Sequence, residues 1–179
     1  MDNQMLGIIN AGEENRRLQD LVRKRSLSAV PVGGRYRTID FLMSNMVNAG
    51  VKNIGILTRR NYDSLLKHVG SGKDWGLNRK RGGLYIFPPY ISGTSPSGEY
   101  ASVMDGLRGT ADFLRNAKEQ YVLLGRSYVV FNADFNDMLD KHIKSGADIS
   151  LMYFDNTNDT TNVDQDGVYM VTDDTGRVT

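Results

Sequence analysis

Residues 6–50 read LGIINAGEENRRLQDLVRKRSLSAVPVGGRYRTIDFLMSNMVNAG and contain, in one run, a strand, a glycine-containing loop, a basic segment and a helix. Leu6, Ile8 and Ile9 form a short apolar strand. Gly12 follows it, at the point where a chain that leaves a sheet edge needs a permissive backbone to approach a phosphate group. This order of elements is typical of a nucleotide-phosphate site.

The composition of the same loop argues against tight phosphate binding. A phosphate cradle requires small residues with accessible backbone N–H groups, whereas Glu13 and Glu14 add charge and Asn15 adds bulk. Like unit charges about 4 Å apart repel by about 1 kcal/mol in bulk water and by about 4 kcal/mol near a protein surface. Arg16 and Arg17 offset this charge without restoring the glycines. We therefore expect the loop to bind a nucleoside triphosphate weakly.

Apolar spacing along the rest of the chain predicts alternating strands and helices. Helical spacing occurs in residues 39–47, 62–69, 100–116 and 138–143. Gly50 is the predicted C-terminal cap of the first of these helices. The fourth helix is predicted to begin at a cap formed by Asp134 or Asn136 and to stop at Gly146. The predicted strands cover residues 6–10, 54–57, 84–87, 121–124 and 149–154. This alternation predicts a three-layer α/β fold with a mainly parallel sheet.

Three further segments read as loops or turns. Residues 70–83, GSGKDWGLNRKRGG, form a basic loop that is either an anion-contacting flap or a solvated loop with Trp75 packed against the core. Residues 91–98 are rich in Gly, Ser and Pro, which predicts little order. Residues 167–178 read as a hairpin with an Asp-Asp-Thr-Gly turn.

The composition excludes several classes of function. The 179 residues include 22 basic and 21 acidic side chains, so the net charge of +1 creates no overall field for nucleic acid or anionic lipid. The chain has no cysteine and only two histidines, and His142 lies on the apolar side of its helix, so we predict no metal site. The short apolar run at residues 6–9 is neither a signal peptide nor a membrane span, and we expect a cytoplasmic location.

The motifs NAGEENRRL at residues 10–18 and KRSLSAVPVGGRYRTIDF at residues 24–41 resemble the N-terminus of the ADP-glucose pyrophosphorylases, or glucose-1-phosphate adenylyltransferases. The resemblance extends through SNMVNAGVKNIGILT, DWGLNRKRGGLYIFPPY and DFNDMLDKHIKSGADISLMY. It implies a Rossmann-like nucleotidyltransferase fold, that of the nucleotide-diphospho-sugar transferases. Residues 1–179 would be the N-terminal part of that domain. The rest of the domain and a left-handed β-helix domain are expected to follow in the whole protein.

The resemblance implies that a remnant of the nucleotide site persists at Ala11, Gly12, Arg17 and Asp105. Asp105 is the last residue of the family's Gly-Thr-Ala-Asp motif when positions are counted back from the strand at residues 121–124. The Gly-Thr-Ala-Asp at residues 109–112 is then a coincidence. Further matches to the family pattern are Arg25, Pro31, Gly33, Gly34, Arg37 and Asp40.

The positions that carry the family's chemistry are replaced. The replacements are Glu13 and Asn15 at loop glycines, Leu27 at the phosphate-contacting lysine, Ser28 at the neighbouring proline, and Arg126, Ser127 and Tyr128 at a Ser-Gly-Asp motif. In the family, the aspartate of that motif holds the catalytic magnesium, and a phenol that is neutral near pH 7 is a poor ligand for Mg²⁺. We expect no cofactor in this chain, and Mg²⁺ only in a catalytic homologue.

These losses favour a regulatory function. Nucleotidyl transfer requires a backbone cradle, a cation on the phosphates and a metal ion. Glu13 and Asn15 stand where the backbone cradle needs glycines. Leu27 stands in place of a candidate cation, and Tyr128 stands in place of a metal ligand. The pattern is similar to the non-catalytic branch of the family, which accompanies a catalytic pyrophosphorylase in bacterial glycogen biosynthesis. That similarity implies a hetero- or homo-oligomer with a catalytic subunit and a nucleotide or sugar phosphate as effector.

Two alternatives remain open at the level of sequence. The first is an active glucose-1-phosphate adenylyltransferase with a divergent site, in which Arg16, Arg17 and the basic loop supply the missing charge. The second is nucleic-acid binding, which has only the Arg79-Lys80-Arg81 cluster behind it, without interleaved aromatic residues. We expect neither a nucleic acid nor a membrane as partner.

Overall fold

In the computed structural model, which describes residues 4–13, 15–79, 82–89, 102–154 and 169–178, the main sheet is flanked by helices. In chain order the elements are β1 (Met5–Asn10), β2 (Pro31–Val32), β3 (Tyr36–Arg37), α1 (Thr38–Asn48), β4 (Asn53–Leu57), α2 (Asp63–Val69), β5 (Gly83–Phe87), α3 (Val103–Gly109), α4 (Ala111–Arg115), β6 (Tyr121–Arg126) and α5 (Phe135–Ser145). Short 3-10 helices cover Arg16–Leu21, Leu27–Ala29 and Lys73–Trp75. Backbone contacts divide the chain into two units, Met1–Leu139 and Asp140–Thr179.

The main sheet lies in the first unit and has the strand order β5-β4-β1-β6, with all neighbouring strands parallel. Ile8 lies opposite Gly55 of β4 on one side and Leu124 of β6 on the other. The chain moves outward from β1 to β4 and β5, and then returns to the other side of β1 to form β6. Sheets whose strand order reverses in this way bind ligands in a crevice at the carboxyl ends of the strands on either side of the reversal, which here are β1 and β6.

Alternating side chains of the sheet pack into two hydrophobic clusters. The side chains that cluster with α1 are Met5, Ile9, Ile54 and Ile56, whereas Leu6, Ile8 and Leu57 cluster with α3 and α4. Burying one such aliphatic side chain contributes about 1.5–3 kcal/mol to stability, so each face of the sheet holds a helical layer in place. The predicted three-layer α/β fold with a parallel sheet is confirmed.

The sequence of α1 explains where this helix begins and ends. The backbone N–H of Arg37 donates to the Asp40 carboxylate at 2.9 Å, which fixes the first turn. The apolar stripe from Ile39 to Met46 is buried against the sheet. Gly50 follows the helix with a φ of +85°, a left-handed conformation that glycine adopts without strain. The predicted helix and its cap are confirmed.

The predicted helix over residues 100–116 is wrong in one respect, because the structure divides it into α3 and α4 at Thr110. Thr110 has φ −101° and ψ 13°, and its hydroxyl donates to the Leu107 carbonyl at 2.9 Å. A threonine that bonds to the preceding turn competes with the helical ladder, and the adjacent Gly109 adds its low helix propensity. Tyr100 lies outside the described residues, as do residues 91–98, Lys80 and Arg81.

The predicted caps of α5 are confirmed. The Asp134 carboxylate accepts hydrogen bonds from the backbone N–H groups of Asn136 at 2.9 Å and Asp137 at 3.3 Å. The helix ends at Ser145, and Gly146 follows with a φ of +63°. Across the described ranges, no helix combines the length and the hydropathy that a membrane crossing requires.

In the second unit, the prediction of a strand at residues 149–154 is wrong. A strand requires a neighbour to which its backbone can hydrogen-bond, and no described residue pairs with this segment. Its apolar side chains are exposed, from 51% for Met152 to 88% for Phe154. The predicted hairpin is confirmed at its turn, where an antiparallel bridge between Thr172 and Val178 encloses residues 173–177, the Asp-Asp-Thr-Gly turn among them. Residues 167 and 168 of that hairpin lie outside the described part.

Candidate functional site

The crevice between β1 and β6 brings together two segments that are distant in sequence. Asn10 and Arg126 are paired residues at the ends of these parallel strands. The chain continues from β1 through Ala11 and Gly12, and from β6 toward Tyr128. The structure therefore places the predicted site residues Ala11, Gly12 and Tyr128 at the carboxyl ends of β1 and β6, where the strand order reverses.

Glu13 is the centre of a polar cluster at this edge. Its Oε1 atom accepts a hydrogen bond from the Asn10 side-chain amide at 3.1 Å and pairs with Nε of Arg126 at 3.1 Å. Arg126 in turn donates from Nη1 to the phenol oxygen of Tyr128 at 3.2 Å. We refer to Asn10, Glu13, Arg126 and Tyr128 as the Glu13 cluster. It joins the loop after β1 to the end of β6.

The electrostatics of the Glu13 cluster favour a charged guanidinium and a neutral phenol. Burial and the nearby Glu13 carboxylate both raise the pKa of the Tyr128 phenol. Burial acts to lower the pKa of the Arg126 guanidinium, but the Glu13 carboxylate and the Tyr128 phenol outweigh burial, so that this pKa is raised. At neutral pH the cluster therefore contains one cation, one carboxylate and one uncharged phenol.

The donors at this edge do not fit a magnesium ion. Mg²⁺ requires hard anionic oxygen ligands, and a protonated Tyr128 phenol supplies none. The Glu13 carboxylate is paired with Arg126. Within the described ranges, no three His, Cys, Asp or Glu side chains come together as a group that could hold a metal ion. The assignment of Tyr128 to a lost metal position stays a prediction that these contacts favour.

Two buried hydroxyl groups connect the segment around Leu27 to the end of β6. Ser28 Oγ and Ser127 Oγ lie 2.5 Å apart, and Ser127 Oγ also donates to the Asn10 carbonyl at 3.1 Å. Leu27 precedes Ser28 in its 3-10 helix and is itself buried. Leu27 also lines a cleft beside the loop, and its assignment to the family's lysine position stays a prediction. Residues 27–29 are thus held in place by the hydroxyl contacts of Ser28, and Leu27 offers no cation to a ligand.

This cleft has a volume of about 490 Å³ and runs along the loop that follows β1. Its charged lining residues are Glu13, Asp20, Arg23, Arg25 and Arg60, and we refer to it as the arginine cleft. Asp20 and Arg23 are exposed and lie 3.4 Å apart as an ion pair. Three arginines against two carboxylates give the described lining a positive balance, which suits an anion. Glu13 belongs both to this cleft and to the Glu13 cluster.

Gly12 has no room for a side chain because Arg59 lies across it. A β-carbon at Gly12 would be 2.6 Å from Cγ of Arg59, so the arginine would have to move. Arg59 Nε and the Ser26 hydroxyl are buried atoms without a hydrogen-bond partner in the described part of the chain. Buried polar atoms are ordinarily paired, which makes both of them candidate ligand contacts. Sequence reasoning missed Arg59, although its place just beyond β4, at the carboxyl edge of the sheet, could have indicated it.

Arg17 and Asp105 do not join the Glu13 cluster. The Arg17 side chain is exposed and is not among the described residues that line the arginine cleft. Asp105 lies in the first turn of α3, where its carboxylate contacts the Ser102 hydroxyl at 3.3 Å and Arg108 at 4.0 Å. The roles of Ala11, Gly12, Arg17 and Asp105 as remnants of a nucleotide site stay predictions.

Comparisons with known proteins agree on a family. A family model described as nucleotidyl transferase matches residues 6–179. The chain is 40% identical over 153 residues to the glycogen biosynthesis protein GlgD of Geobacillus stearothermophilus, a match that covers 84% of this chain and 43% of that protein. It is 37% identical over 145 residues to the glucose-1-phosphate adenylyltransferase of Pseudothermotoga lettingae, covering 81% of this chain and 34% of that protein. The chain spans less than half the length of these relatives.

A solved structure shares the fold. It is the crystal structure of a Bacillus anthracis protein, described as a glucose-1-phosphate thymidylyltransferase in complex with sucrose, and it matches with a TM-score of 0.61. The match covers 78% of this chain and 50% of that chain at 18% identity. At this identity the likeness concerns the fold alone, and the Rossmann-like nucleotidyltransferase fold is confirmed.

Proposed function

Because this chain belongs to the nucleotidyl transferase family, we propose that the full-length protein is a regulatory, largely non-catalytic subunit of glucose-1-phosphate adenylyltransferase. That enzyme makes ADP-glucose from ATP and glucose-1-phosphate in bacterial glycogen biosynthesis. The observation that carries the proposal is the ion pair between Glu13 and Arg126, which occupies the crevice where this type of sheet binds ligands. The protein works in the cytoplasm, in an oligomer with a catalytic homologue.

Three features of the crevice and the adjacent arginine cleft support a loss of turnover. Nucleotidyl transfer requires groups that stabilise the negative charge on the reacting phosphate, and these are usually cations and a metal ion. The Glu13 carboxylate adds negative charge beside the loop, Leu27 is apolar and buried, and Tyr128 is a neutral phenol. A neighbouring side chain could compensate for one of these losses. The three together affect the backbone cradle for the phosphates, the cation that contacts them and the ligand of the metal ion.

What the chain retains supports a regulatory role. Its scaffold keeps the parallel sheet, both hydrophobic clusters and the capped helix α1. A protein that keeps a fold without its reactive groups is expected to work through its surface. A subunit interface can transmit a coupling free energy of about 1–3 kcal/mol to a neighbouring site, which is enough to change an affinity several-fold or more.

An active glucose-1-phosphate adenylyltransferase with a divergent site is the second candidate, and the arginine cleft favours it. Arg23, Arg25 and Arg60 line a space beside the loop that has room for phosphate groups. In this alternative, their charge replaces the lysine that Leu27 no longer provides. The alternative still requires a metal ligand in place of Tyr128.

One experiment separates the two candidates. It measures ADP-glucose formation by the full-length protein alone, by the catalytic homologue from the same organism alone, and by their mixture. We expect no measurable rate for the protein alone, and a changed rate or substrate affinity for the mixture. Mixing the homologue with an equal amount of an unrelated protein is the control for nonspecific stabilisation. A rate for the protein alone that equals the homologue's, or a mixture with unchanged rate and affinity, contradicts the proposal.

A further inference from the structure

The Glu13 carboxylate is held by groups that ordinarily bind anionic ligands. We propose that Glu13 is an internal anion, which closes the crevice between β1 and β6 by occupying the Asn10 amide and the Arg126 guanidinium. The class of ligand that it excludes is a small tetrahedral oxyanion such as phosphate. This closure rests on the proposed non-catalytic function, because an active adenylyltransferase would need the same crevice to be open.

The two donors converge on a single atom. Asn10 Nδ2 and Arg126 Nε each lie 3.1 Å from Oε1 of Glu13. The sheet fixes their spacing, since Asn10 and Arg126 are paired residues of the adjacent strands β1 and β6, and Asn10 is buried. A charged and a neutral donor placed in this way form a preorganised contact for one oxygen of an anion. In this chain, that oxygen comes from Glu13.

The surroundings of Glu13 have further features of an anion site. Three arginines line the adjacent arginine cleft, and among its described lining residues Asp20 is the one carboxylate besides Glu13. The Ser26 hydroxyl and Arg59 Nε are buried donors beside the same loop, and neither has a hydrogen-bond partner in the described ranges. These donors would suit an oxyanion once the negative charge of Glu13 is removed.

The closure depends on the charge of Glu13 more than on its bulk. The Arg126 side chain is 54% exposed and that of Glu13 is 24% exposed, so an anion can approach the pair from solvent. An approaching phosphate would meet Arg126 beside a carboxylate of like charge, which repels it. Removing that charge while keeping the shape of the side chain should convert the crevice into an anion site.

The test measures the binding of inorganic phosphate to the full-length protein by titration calorimetry. Glu13→Gln keeps the size of the side chain and one oxygen for its partners, but it removes the charge. We expect phosphate to bind to this variant at least about ten-fold more tightly than to the unmodified protein. Asp20→Asn is the matched control, because it removes the other carboxylate of the arginine cleft. It should change the affinity by less than about two-fold, since Asp20 is exposed and screened.

A second variant shows whether Arg126 binds the phosphate. The gain in affinity should disappear when Arg126→Gln is added to Glu13→Gln. The proposal is overturned if Glu13→Gln gives no gain, if Asp20→Asn gives an equal gain, or if the gain survives the loss of Arg126. Glu13→Ala replaces Glu13→Gln, with the same expectation, if the glutamine variant does not fold.

One measurement needs no variant. In the unmodified full-length protein, the nitrogen-15 NMR signal of the Arg126 Nε–H group should stay in place when phosphate is added, because Glu13 holds that donor. A saturable shift of this signal overturns the proposal.

The two proposals fail in different ways. Phosphate binding is measured without a partner, whereas the proposed function is tested by ADP-glucose formation alone and in the mixture. If Glu13→Gln gains no phosphate affinity while the mixture shows regulation, the internal anion is wrong and the regulatory subunit stands. If the protein alone forms ADP-glucose as fast as its homologue, the regulatory function is wrong, together with the closure that rests on it.

Discussion

Two polar networks in the first unit differ in how far they are shielded from water: the network around Asp40 and the Glu13 cluster. Asp40 contacts His68 Nε2 through Oδ1 at 2.6 Å and accepts the Arg37 backbone N–H through Oδ2 at 2.9 Å. The side chains of Asp40 and His68 are 10% and 20% exposed, whereas that of Arg126 is 54% exposed. The Asp40 network thus joins α1 to α2 inside the scaffold, and the Glu13 cluster lies at the mouth of a crevice.

This difference indicates which parts of the family pattern the chain keeps. Arg37 and Asp40 match that pattern, and their contacts hold the scaffold together. Residues that depart from the pattern contact one another instead: Glu13, Arg126 and Tyr128 in one group, and Ser28 with Ser127 in another. The crevice of this chain is therefore bridged by contacts among its own side chains, on a nucleotidyltransferase fold.

The largest effect is expected at the Asp40 network. Asp40→Ala leaves His68 and the Arg37 N–H without their partner in a buried site, which should lower the free energy of unfolding by about 2–4 kcal/mol. Urea unfolding of the full-length protein, followed by circular dichroism, measures this change. Glu13→Gln should cost less than about 1 kcal/mol, because its ion pair is partly exposed.

Asp63→Ala is the matched control for that measurement, since it removes an exposed carboxylate that pairs with Lys67 at 2.7 Å. It should also cost less than about 1 kcal/mol. Equal losses for Asp40→Ala and Glu13→Gln would show that the Glu13 cluster is a structural joint like the first network, and not an internal ligand.

The next effect is expected from restoring the chemistry of the crevice. Leu27→Lys with Tyr128→Asp supplies a cation and a carboxylate, but Glu13 still pairs with Arg126, so we expect no gain in ADP-glucose formation. Adding Glu13→Gly and Asn15→Gly should give a rate at least about ten-fold above the detection limit of the assay, or about 1.4 kcal/mol of activation free energy. An assay of both variants in parallel measures the difference. Equal gains in both would mean that Glu13 is no obstacle.

The smallest effect concerns the pH dependence of stability at Tyr128. Its pKa is raised in the folded protein by burial and then by Glu13, whereas the unfolded chain loses this proton at about pH 10. The resulting stabilisation is complete below about pH 10 and is lost as the pH rises through the folded pKa. Above about pH 10, the free energy of unfolding should therefore decline more steeply in the unmodified protein than in Tyr128→Phe.

Tyr36→Phe, at an exposed tyrosine, is the control for the general effect of alkaline pH. If the curves of Tyr128→Phe and Tyr36→Phe are parallel, Tyr128 contributes no more to the pH dependence of stability than this exposed tyrosine does.

Much of the fold could be predicted because its signals are local. The buried stripe of α1 and the glycine that follows it are visible in the sequence, and the strands of the main sheet are short apolar runs. Residues 149–154 have the same apolar character but no strand partner among the described residues, and a partner is not encoded in the segment itself. The break between α3 and α4 depends on one hydroxyl, that of Thr110, which competes for a backbone carbonyl.

The location of the candidate site could also be predicted, but its contacts could not. Gly12 and Tyr128 each follow a predicted strand, and the ends of neighbouring parallel strands meet at one edge. The position of β6 beside β1 is part of the strand order. The alternation of helices and strands in the sequence does not determine that order. The pairing of Glu13 with Arg126 follows from that order, and so does the contact between the Ser28 and Ser127 hydroxyls.

Titration calorimetry of the full-length protein with Mg-ATP tests most directly whether the chain's own side chains close the crevice. We predict no binding that saturates at micromolar nucleotide, because Glu13 occupies Arg126 and the Tyr128 phenol offers no carboxylate to a metal ion. A catalytic homologue titrated under the same conditions is the positive control. A micromolar Kd for the full-length protein would contradict this prediction.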